Sequence, residues 1–229
     1  MRAVRMGLLV GMVGQLTLLA GLTVTVGLSA MAWTVGVVCA IVTTGLLAIG
    51  LRRSGAVAIG PANSVTLARA CLVNSVAALV TDAFIRPAHV PAIVTLAVVA
   101  LVLDGVDGRV ARKSGTVSDL GARFDMEVDA WLILVLSVYD VRTVGAWVLV
   151  IGAARYLLLV ATWFIPWIGD PLPPSLFRKT VAALQGIALL VVAAGVLSRW
   201  AQPVLMVAAV LLLASFGHQL AQLARARRF

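Results

Sequence analysis

Residues 7–28 read GLLVGMVGQLTLLAGLTVTVGL, a stretch without a charged side chain. A helix needs about twenty apolar residues to cross roughly 30 Å of hydrocarbon, and this stretch has that length. Similar runs recur along the chain, which is 62% hydrophobic and only 12% charged, whereas soluble domains average about 25% charged residues. Because lipid requires each backbone polar group to be bonded within its own segment, we predict an all-α integral membrane protein.

The apolar runs, with the Gly and Pro residues that separate them, predict eight transmembrane helices. They lie near residues 7–29, 31–51, 65–84, 89–104, 119–139, 143–165, 179–198 and 201–220. The fourth run is short, and we expect Asp104 and its successors to extend that helix beyond the apolar zone. Because the first two helices contain no acidic residue, we divide the chain into a two-helix N-terminal appendage (1–55) and a six-helix transmembrane core (56–229).

The basic residues predict the orientation in the membrane. The net charge of +9 is concentrated in short loops, which fits membrane topology and anionic lipid headgroups better than nucleic acid. A cytoplasmic N-terminus leaves only Arg86, Arg142 and Arg199 on the outer side, so the positive-inside rule predicts cytoplasmic termini. The first apolar run exceeds the roughly 7–15 residues of a signal peptide, so we expect a retained helix. Cys39 and Cys71 have neither metal-site nor disulfide spacing.

Six of the nine acidic residues lie between Asp104 and Asp129. On helices, Asp104 and Asp107 share one face, and Asp125 and Asp129 share a face of the next helix. Two antiparallel helices would bring these four carboxylates together at the inner edge of the membrane, where unpaired charges are costly. Divalent cations resolve the repulsion, and Mg²⁺ commonly shares its ligands between carboxylates and substrate phosphates.

Glycines and arginines surround these acids. Gly105, Gly108 and Gly121 leave space for a bulky ligand near the helix backbone, and Arg112 supplies a bidentate donor for phosphate. The combination predicts a pyrophosphate site. The alternative is a salt-bridge cluster, in which nearby arginines such as Arg109 neutralise the aspartates without any metal.

The same segment resembles the signature of the CDP-alcohol phosphotransferase family, Asp-x-x-Asp-Gly-x-x-Ala-Arg, eight residues, Gly-x-x-x-Asp-x-x-x-Asp. Its fixed positions are filled by Asp104, Asp107, Gly108, Ala111, Arg112, Gly121, Asp125 and Asp129. Upstream, residues 61–69 (PANSVTLAR) are similar to the opening segment of the family, in which Asn, Thr and Arg recur. A helix start, with Asn63 or Ser64 as N-cap and Arg69 as an interfacial anchor, also accounts for this segment.

The resemblance implies a metal-dependent enzyme that transfers a phosphatidyl group from CDP-diacylglycerol to a small alcohol and releases CMP. It implies that Asp104, Asp107 and Asp125 hold one divalent metal. Asp129 would help to hold a second and act as general base. Mg²⁺ and Mn²⁺ are the candidate ions. The candidate donor-binding residues are Gly108, Ala111, Arg112, Gly121, Asn63 and Thr66. The resemblance also implies a homodimer.

The acceptor is less defined. Arg155, Arg178 and Lys179 are candidates for binding a phosphorylated acceptor, because an arginine within a membrane helix is costly unless it has a function. Glycerol 3-phosphate and inositol phosphate both remain candidates. Residues 179–185 (KTVAALQ) loosely resemble an element of phosphatidylglycerophosphate synthases, which favours glycerol 3-phosphate. Ala130 stands where many members carry Lys or Arg.

Three other functions remain open. One is a CDP-choline- or CDP-ethanolamine-type donor with a lipid acceptor, and another is a catalytically silent membrane scaffold. The third is a cation transporter, which would place paired half-helices or internal repeats at the bilayer midplane.

Overall fold

The computed structural model of the chain describes residues 2–55, 59–114, 118–169, 175–197 and 199–226. Within these ranges, the side chains at 106–114 and at a few helix ends are not described. The described residues form helices joined by short loops and contain no strand, which confirms the all-α prediction.

Eight α-helices follow one another in the described part of the chain, as predicted. They are α1 (Arg2–Val26), α2 (Ala30–Arg53), α3 (Pro61–Ala83), α4 (Val90–Ser114), α5 (Asp119–Val144), α6 (Leu149–Phe164), α7 (Leu176–Ala193) and α8 (Ala201–Ala226). Short 3-10 segments at Ala146–Val148 and Pro166–Gly169 flank α6.

Several helix ends differ from the predicted ones. As expected, α4 continues through Asp104, and it reaches Ser114. α8 runs to Ala226, beyond its predicted end, because hydropathy marks only the part of a helix that lies in hydrocarbon. α7 stops at Ala193 instead of continuing to 198. Gly195 has φ +73°, the left-handed conformation that terminates many helices.

The predicted start of α3 at residue 65 is wrong, because the helix begins at Pro61. Gly60 precedes it with φ +78°, and Pro61 occupies the first helical position, where its missing N–H costs nothing. Neither Asn63 nor Ser64 is the N-cap. The Ser64 hydroxyl donates instead to the Gly60 carbonyl over 2.9 Å.

Five helical segments are long and apolar enough to cross a membrane, judged by length and composition. They are Val4–Val26, Ala30–Arg53, Pro61–Ala83, Ala146–Phe164 and Ala201–Ala224. A shorter apolar stretch, Val90–Gly105, lies in α4. The chain is therefore a multi-pass membrane protein, while crossing by α4, α5 and α7 stays a prediction.

The chain divides into two compact units, Met1–Val135 and Leu136–Phe229. In the first unit, α3 packs against α1, α2 and α4. In the most apolar part of α3, 72% of the residues are buried, against 11% for α1 and 22% for α2, so α3 is the core of this unit. In the second unit, α8 packs against α6 and α7. The domain boundary at residue 55 stays a prediction.

Close packing of α2 depends on Gly36. A Cβ added there would lie 2.8 Å from Leu19 Cδ2 and 3.4 Å from Ala78 Cβ. We expect Gly36→Leu to force these helices apart and to lower the free energy of unfolding by about 2 kcal/mol. Thermal unfolding of the purified protein in detergent measures this loss.

Gly45→Leu on the same helix is the matched control, since a Cβ there meets nothing within 4 Å. Equal melting temperatures for the two variants would contradict the packing described here.

Candidate functional site

Arg69 lies at the centre of the charged cluster in the first unit. It belongs to α3, and only 1% of its surface is exposed. Its Nη1 lies 3.0 Å from Asp104 Oδ1 and also donates to Asp125 Oδ1, and its Nη2 donates to Asp129 Oδ1. Its Nε donates to the Ala100 carbonyl over 3.2 Å. The planar fork of a guanidinium suits such multiple bonding, and one side chain thus joins α3, α4 and α5.

The predicted face of α5 and Asp104 of α4 meet at this arginine. Asp125 and Asp129 are four residues apart on α5, and both reach Arg69. Asp104 lies one turn beyond Ala100 on α4, so its carboxylate and the Ala100 carbonyl approach Arg69 from one helix. The structure thus brings together three of the four predicted carboxylates. The Asp107 side chain lies outside the described part.

The four described side chains of the cluster carry more negative than positive charge when the carboxylates are ionised. Three carboxylates (−3) surround one guanidinium (+1), which leaves −2 among these four groups. Like charges held close together repel, and partial burial strengthens the repulsion. The arginine is buried, whereas the Asp104, Asp125 and Asp129 side chains are 42%, 35% and 38% exposed. The excess charge therefore lies on the accessible side of the cluster.

A divalent cation fits this side of the cluster. One carboxylate oxygen from each of Asp104, Asp125 and Asp129 lies within 4.8 Å of the others. Such oxygens are the ligands that Mg²⁺ and Mn²⁺ prefer, and a charge of +2 would balance the excess. Arg69 alone does not neutralise the three carboxylates.

Asn63 approaches the first turn of α5 very closely. A Cβ added at Gly121 would lie 2.7 Å from Asn63 Oδ1 and 3.1 Å from Ser118 Oγ. The Gly121 N–H donates to Ser118 Oγ over 3.1 Å, as at a capped helix start. Gly121 therefore allows the side chain of Asn63, from α3, to lie against the backbone of α5.

Residues 59–215 match the family model described as CDP-alcohol phosphatidyltransferase. The chain belongs to the CDP-alcohol phosphatidyltransferase family. Members transfer a phosphatidyl group from a CDP-alcohol to an acceptor, and they generally use a divalent metal. The match includes Arg69 and the three clustered aspartates and begins after α2. No curated protein and no solved structure matches the chain.

The structure places the other predicted site residues as follows. Thr66 is buried on α3, and its hydroxyl donates to the Ala62 carbonyl over 3.2 Å. A Cβ added at Gly105 would meet no atom of the described residues within 4 Å. The backbones of Gly108, Ala111 and Arg112 belong to α4, and their side-chain environments lie outside the described part.

The predicted acceptor residues lie in the second unit. Arg155 is half-buried on α6, Arg178 is half-buried in the first turn of α7, and Lys179 is exposed beside it. Their role in the phosphatidyltransferase stays a prediction.

Sequence analysis placed Arg69 in the family's opening segment but not among the candidate site residues. Its interpretation as an interfacial anchor is wrong, because the side chain is buried and bonded to three carboxylates. A usable signal existed, since Arg69 stands within an apolar helix, where a charge is costly unless it is paired. The same reasoning drew attention to Arg155.

Replacement of Arg69 tests its role as the internal counter-ion. We expect Arg69→Met to lower the free energy of unfolding in EDTA by about 3 kcal/mol, because half-buried carboxylates lose their partner. We also expect Mg²⁺ to restore more stability to this variant than to the unmodified protein. Melting temperatures with and without Mg²⁺ measure both effects.

The control is Arg53→Met, which removes an exposed arginine at the end of α2. If Arg69→Met melts like this control in EDTA, Arg69 does not hold the cluster together.

Proposed function

We propose that the protein transfers a phosphatidyl group from CDP-diacylglycerol to a small hydrophilic alcohol and releases CMP. The observation that carries this proposal is the convergence of three signature aspartates within 4.8 Å in a chain whose residues 59–215 match the family. Phosphoryl transfer depends mainly on positioning and on neutralising charge at oxygen atoms, and a carboxylate cluster that holds cations serves both needs.

We assign the metal ligands to Asp104, Asp107, Asp125 and Asp129. Asp104, Asp107 and Asp125 hold the first divalent ion in this assignment, and Asp129 contributes to a second. The −2 excess around Arg69 supports at least one such ion. When bound, Mg²⁺ or Mn²⁺ supplies positive charge that stabilises the donor pyrophosphate and the departing phosphate oxygen.

Asp129 is the proposed general base. Its Oδ1 accepts from Arg69 Nη2, so we assign proton transfer to Oδ2. The acceptor hydroxyl gives its proton to this oxygen, and the acceptor oxygen forms a bond to the β-phosphorus of the donor. The bond from that phosphorus to the CMP oxygen breaks, and CMP leaves with the electron pair.

Arg69 positions the carboxylates before substrate binds. It bonds Asp125 and Asp129 through two different nitrogens, which restricts the rotation of both side chains. Preorganised charge of this kind lowers the reorganisation that the reaction itself would otherwise require.

The proposed donor pocket combines the first turns of α3 and α5 with the charged end of α4. Asn63, Thr66 and Gly121 line its α3–α5 side, and the contact between Asn63 and Gly121 supports this grouping. Gly108, Ala111 and Arg112 complete the pocket. Arg112 would bind pyrophosphate oxygens in a bidentate manner.

The proposed acceptor carries a phosphate, as glycerol 3-phosphate and inositol phosphate do. Arg155, Arg178 and Lys179 supply positive charge within the second unit. Gln185 on α7 is buried, and its Nε2 has no hydrogen-bond partner among the described residues. A buried amide in this state favours contact with a ligand. The resemblance of residues 179–185 to phosphatidylglycerophosphate synthases favours glycerol 3-phosphate.

The orientation and assembly of the protein are also proposals. The distribution of arginines supports an active site and termini on the cytoplasmic side. A homodimer rests on the family resemblance.

Release of CMP by the purified protein tests the proposed function. The assay contains CDP-diacylglycerol, Mg²⁺ or Mn²⁺, and in turn glycerol 3-phosphate, inositol phosphate, inositol, serine or water. We expect acceptor-dependent release with a phosphorylated acceptor. Asp129→Asn should reduce the rate at least about 100-fold, the lower range for loss of a general base.

Glu127→Gln is the matched control, because it removes an acid from the same helix but off the face that Asp125 and Asp129 share. We expect it to retain activity. Release with CDP-choline or CDP-ethanolamine alone would overturn the proposed donor. If folded protein released CMP from no donor, a silent scaffold would be favoured. Uptake of divalent cations by proteoliposomes that contain the protein would favour a transporter.

A further inference from the structure

The helices α1 and α2 precede the matched region 59–215, yet polar side chains bond them to α3. Gln15 on α1 donates from Nε2 to Ser75 Oγ over 3.1 Å, and neither residue has exposed surface. In lipid, helices gain no hydrophobic energy by meeting each other, so such bonds and close packing select the partner surface.

A second set of bonds continues from α2 through α3 to α5. Asn74 on α3 donates from Nδ2 to Thr43 Oγ1 on α2 over 3.4 Å. Its Oδ1 accepts from Trp131 Nε1 on α5 over 3.1 Å. The Thr43 hydroxyl donates to the Cys39 carbonyl over 2.7 Å, which leaves its oxygen to accept from Asn74. We call Thr43, Asn74 and Trp131 the three-helix link.

The chemistry of the three-helix link determines its orientation. An indole nitrogen is only a donor, so the Asn74 amide must present its oxygen to Trp131. The amide nitrogen then faces Thr43. Asn74 is 2% exposed, and both ends of its side chain are bonded. Reversal of the amide would oppose two donors at Trp131.

The three-helix link lies close to the charged cluster along both α3 and α5. Asn74 follows Arg69 by five residues on α3, about 7.5 Å along the axis. Trp131 follows Asp129 by two residues on α5. The link therefore restrains the depth and rotation of α3 relative to α5 within about two turns of the ion pair between Arg69 and Asp129.

The turn between α1 and α2 is bonded to the other end of α3. The Ser29 N–H donates to Asp82 Oδ1 over 3.1 Å, and Arg86 Nη1 donates to the Gly27 carbonyl over 2.6 Å. With the bond between Gln15 and Ser75, these contacts hold the hairpin along the length of α3.

We propose that the α1–α2 hairpin is a positioning element of the active site, which acts through Thr43, Asn74 and Trp131 on the carboxylates that bind the metal. This inference rests on the proposed function for the identity of the reaction. The bonds that carry it are independent of any substrate.

The test measures metal binding as well as turnover in the full-length protein. The concentration of Mn²⁺ that gives half-maximal thermal stabilisation is determined for Thr43→Val, Asn74→Leu and Trp131→Phe. We expect Asn74→Leu to raise this concentration up to about tenfold, which is the lower range for residues bonded directly to metal ligands, because Asn74 acts on the carboxylates only through the helices. Thr43→Val and Trp131→Phe should raise it in the same direction, and kcat for CMP release should fall with little change in the KM of the donor.

Two variants separate positioning from general stability. Thr34→Val makes the same change on α2 at an exposed threonine whose hydroxyl donates to the Ala30 carbonyl of its own helix. It should leave the Mn²⁺ midpoint unchanged. Thr43→Ser retains the hydroxyl and should behave like the unmodified protein. This rescue also shows that a raised Mn²⁺ midpoint in Thr43→Val comes from loss of the hydrogen bond.

Unchanged Mn²⁺ midpoints in Thr43→Val and Asn74→Leu, even with lower melting temperatures in EDTA, would overturn the proposal and leave the hairpin a structural element. If the unmodified protein releases no CMP from any donor, the proposed function fails. The Mn²⁺ midpoints would then still decide whether the hairpin positions the cluster.

Discussion

Arg69 is buried in the first unit and bonded to carboxylates from two neighbouring helices. A guanidinium in such a position is stable only because its N–H groups have partners, and it reduces the repulsion among those partners. The Arg69 guanidinium lies on the buried side of the cluster, and the carboxylates form its exposed side. The partner helices α4 and α5 are held to α3 by this interaction.

The same arrangement bears on the two interpretations of the acidic segment. An arginine does pair with the aspartates, as a salt-bridge cluster requires. It comes from α3, however, outside the acidic segment itself, and its single charge leaves −2 on three carboxylates. The excess on the accessible side favours exchangeable divalent cations with Arg69 as a permanent member of the site.

Sequence patterns predicted the parts of the structure that depend on local chemistry. Apolar run length predicted eight helices, and the four-residue spacing of Asp125 and Asp129 predicted their shared face. Contacts between distant elements were not predictable in this way. Arg69 and Arg155 both interrupt apolar helices, and nothing local distinguishes the one that faces three acids.

The end of α7 was missed because only the backbone angle of Gly195 shows that it terminates the helix. The hydrogen bonds that link Thr43, Asn74 and Trp131 join residues far apart in the chain, so no local pattern predicts them.

We infer that the carboxylates around Arg69 bind the divalent metal of the proposed reaction. Anomalous diffraction from crystals grown with Mn²⁺ and CDP-diacylglycerol tests it most directly. We expect Mn²⁺ peaks at the carboxylates, one ion bonded to Asp104 and Asp125 and a second bonded to Asp129, with Arg69 still bonded to the cluster on its buried side. A structure with bound CDP-diacylglycerol, intact ion pairs and no Mn²⁺ at these three aspartates would contradict the claim.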